Sequence, residues 1–264
     1  MKGWMIERMN IATLNLNGET FFSINRRPRL PESIFNIKSI KEKLSNLTKN
    51  RLSKVLAKAD IDILAVQEFV NSKKERDEIE REIEKAGYKL MVPELNGNIH
   101  FVTGFIVRNE CIDKCTVENG PLEKELANNR KAFLKFEDGN INFSIFNVHV
   151  NNHTINIPDT STILVGDMNA CKSNQTSNQK GIKEKFIEDI EHKYDAVGQE
   201  GKHYTWTSNG IEKQLDHIYL SKKYGTNNSN KISVDDNVNF YYKPKKGFTD
   251  HSMLIWNFGE LQEK

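Results

Sequence analysis

The chain has 264 residues, 37% of them hydrophobic and 28% charged, which is enough for one large core and does not demand a second, so one domain over 1–264 is expected. A net charge of +2 and a pI near 8.3 exclude a globally basic footprint, so any contact with a polyanion has to be local. Three cysteines, at 111, 115 and 171, show no metal-ligand spacing and point to reduced thiols in a cytoplasmic protein, and no apolar stretch has signal-peptide or membrane-spanning length.

Asn10 to Leu16 alternates as a first strand, and Leu52, Val55, Leu56 and Ala59 recur at helical spacing within 49–59. Between them, residues 19–47 form a long excursion with Arg26, Arg27, Pro28, Arg29 and Pro31, followed by a weak helical pattern; a functional connection and a solvated loop with a surface helix are both compatible with it. Asp60 stops the helix, and Ile61–Val66 is a nearly continuous apolar run that fits a strand covered on both faces. Residues 72–86 predict a scaffold helix with Ile79, Ile83 and Ala86 inward and Gly87 as its stop. Strands follow at about 100–108, 131–137, 141–150 and 163–166, the middle two joined by the turn Asp138-Gly139. A helix over about 179–191, an aromatic segment at 204–207 and strands at 215–220 and 253–258 complete the pattern. Strands outnumber helices, and helices fall between them, as in an α+β or α/β sandwich.

Six segments place a carboxylate, amide or imidazole at one end of an apolar run: TLNLNG (13–18), ILAVQE (63–68), FNVHV (146–150), ILVGDMN (163–169), QLDHIYLS (214–221) and TDHSMLIW (249–256). Each alone reads as a turn or cap. Together they supply acids, amides and imidazoles without a thiol, a donor set suited to hard-metal phosphate chemistry.

The ordered set TLNLNG, DILAVQE, TGFIVR, NVHV, GDMN, LDHIYLS and TDHS resembles the exonuclease-endonuclease-phosphatase superfamily, which contains pancreatic deoxyribonuclease, over residues 10–258. The resemblance implies a four-layer αββα sandwich, two packed mixed β-sheets flanked by helices, with the active site at one end of the sheets. It also implies roles. Glu68 matches the family's metal-binding glutamate, Asn15 an asparagine of the metal shell, and Asp250 the carboxylate beside His251. His251 matches the imidazole that meets the scissile phosphate, and Asp216 the aspartate that orients it. Asp167 and Asn169 match the pair that positions nucleophile and phosphate oxygens, and His149 falls where relatives contact phosphate. Arg130 sits where some members place a phosphate-contacting arginine, although a solvated strand-start arginine is the other reading. Glu68 and His251 are expected to face solvent at the site. His217 should point to the opposite face of its strand and carry no catalytic role, and His153 and His192 are expected at the surface.

Hydrolysis of a phosphodiester needs charge neutralised on the phosphoryl oxygens, which Mg²⁺ or Mn²⁺ on oxygen donors would supply, and an imidazole or carboxylate to take the water proton. Lys243, Lys245 and Lys246 precede TDHS, and Arg26, Arg27 and Arg29 follow TLNLNG, so two basic clusters should flank the site and meet a DNA or RNA backbone. Trp206 lies where abasic-site enzymes carry an aromatic wall, but Lys213 and Gln214 stand where those enzymes have a second tryptophan, and NVHVNN departs from their pattern. Residues 151–162, with Pro158, replace the helix that relatives place there. The expectation is a metal-dependent phosphodiesterase, a DNA or RNA nuclease, with no membrane partner. A phosphatase or phosphodiesterase on a small or lipid phosphate, and a catalytically idle nucleic-acid-binding module, are the alternatives.

Overall fold

The computed structural model describes residues 9–17, 52–71, 73–95, 99, 101–121, 126–139, 141–170, 180–197, 204–208, 211–226, 232–239, 241–243, 247–259 and 261–264. The 19–47 excursion with Arg26, Arg27 and Arg29, together with His100, Cys171, Lys245 and Lys246, lies outside the described residues. The elements run β1 (Met9–Asn15), α1 (Leu52–Ala59), β2 (Ile63–Val70), α2 (Lys73–Lys85), β3 (Tyr88–Met91), β4 (Phe101–Arg108), β5 (Cys115–Glu118), β6 (Lys131–Asp138), β7 (Ile141–His149) and β8 (Ile163–Asp167). They continue with α3 (Lys180–Glu191), β9 (Tyr194–Ala196), β10 (Trp206–Ser208), β11 (Ile211–Lys213), β12 (Asp216–Ser221), β13 (Tyr224–Thr226), β14 (Ile232–Asp235), β15 (Met253–Phe258) and β16 (Leu261–Glu263).

One six-stranded sheet has the order β14-β15-β1-β2-β4-β3 and the other β5-β6-β7-β8-β12-β9. Each is antiparallel except for one central parallel pair, β1 with β2 in the first and β7 with β8 in the second. Strand alternation then sorts the side chains into layers. Ile11, Ala65, Ile145, Val165 and Ile218 meet between the sheets. Leu14, Leu64 and Val66 face the other way, onto Leu56 of α1 and Ile79 and Ile83 of α2. Leu164 and Tyr219 pack on Phe186, Ile187 and Ile190 of α3. The result is the four-layer αββα sandwich.

Residues 151–162 supply part of the cover over the second sheet. That segment holds no helix, and it covers the sheet with Ile155 and Ile157. It is pinned through Tyr194, whose hydroxyl donates to the Pro158 carbonyl at 2.9 Å. Away from His149 and Asp216, Phe136, Phe143, Phe258 and Trp256 pack between the sheets in stacked, tilted and edge-on pairs with ring centroids 4.8–5.3 Å apart. Each such ring contributes roughly 1.5–3 kcal/mol by burial, so this end of the sandwich is its apolar anchor. Cys111 and Cys115 are buried free thiols, as expected. Among the described residues no helix is long and apolar enough to cross a membrane.

Candidate active site

The inward alternation that builds the core also builds the site. Along β1 the inward positions are Ile11, Thr13 and Asn15; along β8 they are Ile163, Val165 and Asp167; along β7, Ile145, Asn147 and His149; along β12, Leu220, Ile218 and Asp216. At one end of every strand the apolar series therefore ends in a polar side chain, with no change of face. The register sets these side by side: Asp167 lies opposite His149 in the parallel pair and opposite Asp216 in the antiparallel one. Gly166, at φ +129°, permits this approach, because a Cβ there would stand 2.0 Å from the Val148 carbonyl oxygen.

Glu68 is the exception. Alternation would put it with Leu64 and Val66 under the helices, but the register of β2 on β4 shifts between Val66 and Phe69, and Glu68 itself has φ +52°. This bulge turns the carboxylate to the site, where Oε1 lies 3.3 Å from His149 Nε2. Asn17 (φ +56°) and Asn169 (φ +48°) share the left-handed conformation, so three of the four such non-glycine residues among those described cluster here.

Hydrogen bonds join the pieces. Asn15 Nδ2 donates to Asp167 Oδ2 at 2.8 Å, and its Oδ1 accepts from the Asn17 amide at 2.7 Å. Asn17 Nδ2 donates to Asp250 Oδ1, while Trp206 Nε1 donates to Asp250 Oδ2 at 3.2 Å. The Asn169 amide donates to Asp167 Oδ1 at 2.8 Å. Its side chain donates to the Val150 carbonyl at 3.0 Å, and its own carbonyl accepts from Lys183 Nζ at 2.8 Å. Thr249 Oγ1 donates to the Asn15 carbonyl at 2.7 Å and fastens the loop that carries Asp250 and His251 to β1.

Two imidazoles stand on either side of Asp167, with Nε2 atoms 3.9 Å (His149) and 4.0 Å (His251) from its Oδ2, and their surroundings push them apart. His149 is driven well below the ordinary histidine range by burial first, then by the Arg130 guanidinium and by His251. Arginine has no acceptor, so Arg130 NH1, 2.9 Å from Nδ1 and 3.3 Å from Nε2, is the donor; donation to the nearer Nδ1 leaves the ring proton on Nε2, where the Glu68 carboxylate can accept it. For His251, burial opposes the charged form but the Asp216 carboxylate outweighs it: Nδ1 donates to Asp216 Oδ2 at 2.7 Å, and the ring is pushed up to about 10. Asp167 is pushed up to about 7 by burial and by Asp216, partly offset by His251. A neutral imidazole, an imidazolium and a carboxylate poised near neutrality thus share one pocket.

Sequence reasoning placed some residues differently. Glu68 and His251 are 6% and 4% exposed, at the polar end of the core and not facing solvent. Arg130 is no solvated strand-start residue; it is buried on His149, with its guanidinium 5.4 Å from the Phe101 ring centroid. His153 is half-buried, its Nε2 3.0 Å from the Met168 carbonyl, although His192 is exposed and His217 points to the α3 side, hydrogen-bonded to the Ala170 carbonyl at 2.9 Å. Lys243 is exposed in the loop after Asn239. Asn17, Lys183 and Thr249 were missed. Asn17 had a signal in the second asparagine of TLNLNG, whereas Lys183 reaches the site only through tertiary packing.

The donor set suits a hard divalent cation: carboxylates, an amide and imidazoles, with no thiol. Asp167, Asp216 and His251 offer ligand atoms within 4.8 Å of one another. Asp216 Oδ1 is buried and has no hydrogen-bond partner among the described residues, a desolvation cost that a bound cation would offset. Against all three acting as ligands, His251 Nδ1 and Asp216 Oδ2 are engaged with each other, and a ring held protonated has no lone pair to give.

No protein-family model matches this chain, and no curated protein matches it by sequence. Solved structures match it over nearly their whole length. Humanized D. rerio TDP2 has 14% identity and a TM-score of 0.62, over 96% of this chain and 100% of the other. D. rerio TDP2 complexed with a single-strand DNA product has 13% identity and a TM-score of 0.56, over 96% and 99%. An endonuclease/exonuclease/phosphatase from Bacteroides vulgatus has 14% identity and a TM-score of 0.59, over 97% and 99%. The endonuclease domain of the telomere-specific retrotransposon TRAS1 has 11% identity and a TM-score of 0.56, over 95% and 98%. The chain has a DNase I-like fold.

Proposed function

We propose that this chain is a Mg²⁺- or Mn²⁺-dependent phosphodiesterase that hydrolyses a nucleic-acid backbone. The observation that carries the reading is Asp167 at the polar end of the sandwich with an imidazole on either side, His149 Nε2 at 3.9 Å and His251 Nε2 at 4.0 Å. Asp167, poised near neutral pH, takes the proton of the attacking water. His251, anchored as an imidazolium on Asp216, neutralises charge that grows on the phosphoryl oxygens, so it serves as an electrostatic stabiliser more than as the base. His149 is kept uncharged and offers its Nε2 proton to an oxygen without adding a second cation beside Arg130. Asn169, braced through Val150 and Lys183, orients the phosphate against Asp167.

Glu68, with Asn15 and Asp250, is the set assigned to the divalent ion, and Asp167, Asp216 and His251 are assigned to proton handling and charge. When bound, the ion supplies Lewis-acid neutralisation of the phosphoryl oxygens. A nucleic-acid substrate is favoured by the structural neighbours, TRAS1 endonuclease and DNA-bound TDP2, and by Lys243 exposed near the loop of His251. Arg130, Trp206, Lys243, Lys245 and Lys246 are the residues assigned to substrate. Plasmid nicking decides the reading: cleavage with Mg²⁺, none with EDTA and none for His251→Ala is expected, and full cleavage in EDTA would refute it.

A further inference from the structure

One layer beneath the site, the core holds a second polar arrangement that the mechanism above does not use. Thr13, Gln67 and Asn147 are wholly buried between the sheets, each just inward of a site residue: Asn15, Glu68 and His149. Gln67 Nε2 donates across the sandwich to Asn147 Oδ1 at 2.6 Å, and within its own sheet to Thr13 Oγ1 at 3.0 Å. Asn147 Nδ2 donates back across, to the carbonyls of Gly104 at 2.8 Å and Val66 at 3.1 Å. Val66 and Gly104 are opposite one another and form the last regular pair before the register shift that turns Glu68.

We infer that Gln67 and Asn147 are positioning residues, an inter-sheet amide latch that holds the β2 bulge and thereby fixes Glu68 against His149; the kinetic consequence rests on the phosphodiesterase reading. The bulge needs such a latch for a physical reason. A regular ladder would return Glu68 to the helix-covered face; the hydrophobic pattern disfavours that register, but apolar contacts, being non-directional, do not fix the distance and angle at which the bulge presents Glu68. Hydrogen bonds do fix them, because they require both distance and angle. One amide grips both strands at the bulge, and it sits two residues before His149 on β7, so it sets the spacing of the two site groups that face each other at 3.3 Å from different sheets. Gln67 Oε1 is buried without a hydrogen-bond partner among the described residues, a cost that an apolar side chain would not incur.

The test uses Asn147→Leu and Gln67→Met, near-isosteric changes that delete the latch, with Ile83→Ala beneath α2 as a core change remote from the site. In the latch variants kcat on a phosphodiester should fall on the order of tenfold to a hundredfold. KM should stay within about twofold, because substrate contacts are untouched. The imidazole resonances of His149, read by NMR on the metal-free protein, should move as well. Ile83→Ala should lower Tm and leave kcat and those resonances unchanged. Folded Asn147→Leu or Gln67→Met with wild-type kcat and an unmoved His149 would overturn the latch, as would an equal loss of kcat in Ile83→Ala. If Asn147→Leu does not fold, Gln67→Met decides. If the wild-type protein cleaves no phosphodiester, the proposed function fails, and the His149 resonances alone decide the latch.

Discussion

Replacing Asp216 with asparagine isolates the interaction that charges His251. The side chains keep their shape, but the carboxylate 2.7 Å from Nδ1 becomes a neutral amide. At an effective dielectric constant of about 20, two unit charges at that separation attract by about 6 kcal/mol. From the other direction, lowering a ring from about 10 to the ordinary 6.5 forfeits about 5 kcal/mol. The net shift also contains the opposing effect of burial and smaller attractions to Asp250 and Asp167. With Asp216 neutral, only those two carboxylates oppose burial, so His251 in Asp216→Asn should titrate well below its wild-type value in the metal-free protein and lose charge at pH 7.5. NMR titration of the imidazole measures this directly, and kcat at pH 7.5 should fall by about a hundredfold or more as the stabilising charge is lost. A ring that still titrates near 10 in the variant would refute the electrostatic reasoning, and unchanged kcat would refute the role given to His251.

Glu68→Ala should abolish turnover and leave Tm close to wild type, since it removes a strained left-handed glutamate as well as its contact with His149; circular dichroism melts beside the nicking assay check it. Metal titrations should give activity with Mg²⁺ and Mn²⁺ and little with Zn²⁺, because the assigned ligands are oxygen donors. Metal-free stability should fall as pH rises. Asp167, raised from 3.8 to about 7, favours the folded state while protonated and loses that contribution between those values. His251, raised from 6.5 to about 10, contributes fully below 6.5 and loses it as pH climbs through 10, so His251→Gln should flatten the Tm slope between about pH 6.5 and 9, below the range where the buried thiols Cys111 and Cys115 add a slope of their own. Neutralising Lys243, Lys245 and Lys246 should flatten the salt dependence of DNA binding by about one log–log unit per lost contact, with turnover of a small phosphodiester preserved.

How much of this was legible depended on whether a residue's place follows from strand periodicity. Asp167, Asp216 and Asn15 stand at the ends of β8, β12 and β1, and period-two alternation carries a reader straight to them. Their burial was not legible, because an apolar run followed by an acid reads as a strand leaving the core, whereas here the inward face itself turns polar. Glu68 breaks the alternation, and its direction depends on a bulge that no local signal announces. For Arg130 both a phosphate contact and a solvated strand start stayed open, since nothing in NNRKAF reveals that His149 and the Phe101 ring will cover it. The short strands β3, β5, β9, β13 and β14 escaped as well, each being three or four residues, too few for a period to register.

The two imidazoles show why the sandwich suits this chemistry. His149 and His251 lie about equally far from Asp167, and burial lowers both. What chiefly separates them is the nearest charge on each ring: Arg130, delivered by the turn before β6, and Asp216, delivered by β12, with Asp250 and Asp167 adding to the second. A cation beside one ring and an anion beside the other turn a symmetric pair into a neutral donor and a fixed positive charge. Exchanging those neighbours' signs would exchange the roles of the rings without moving either backbone. The division of labour therefore resides in the pairing across strands, which the register of the second sheet fixes before any substrate arrives.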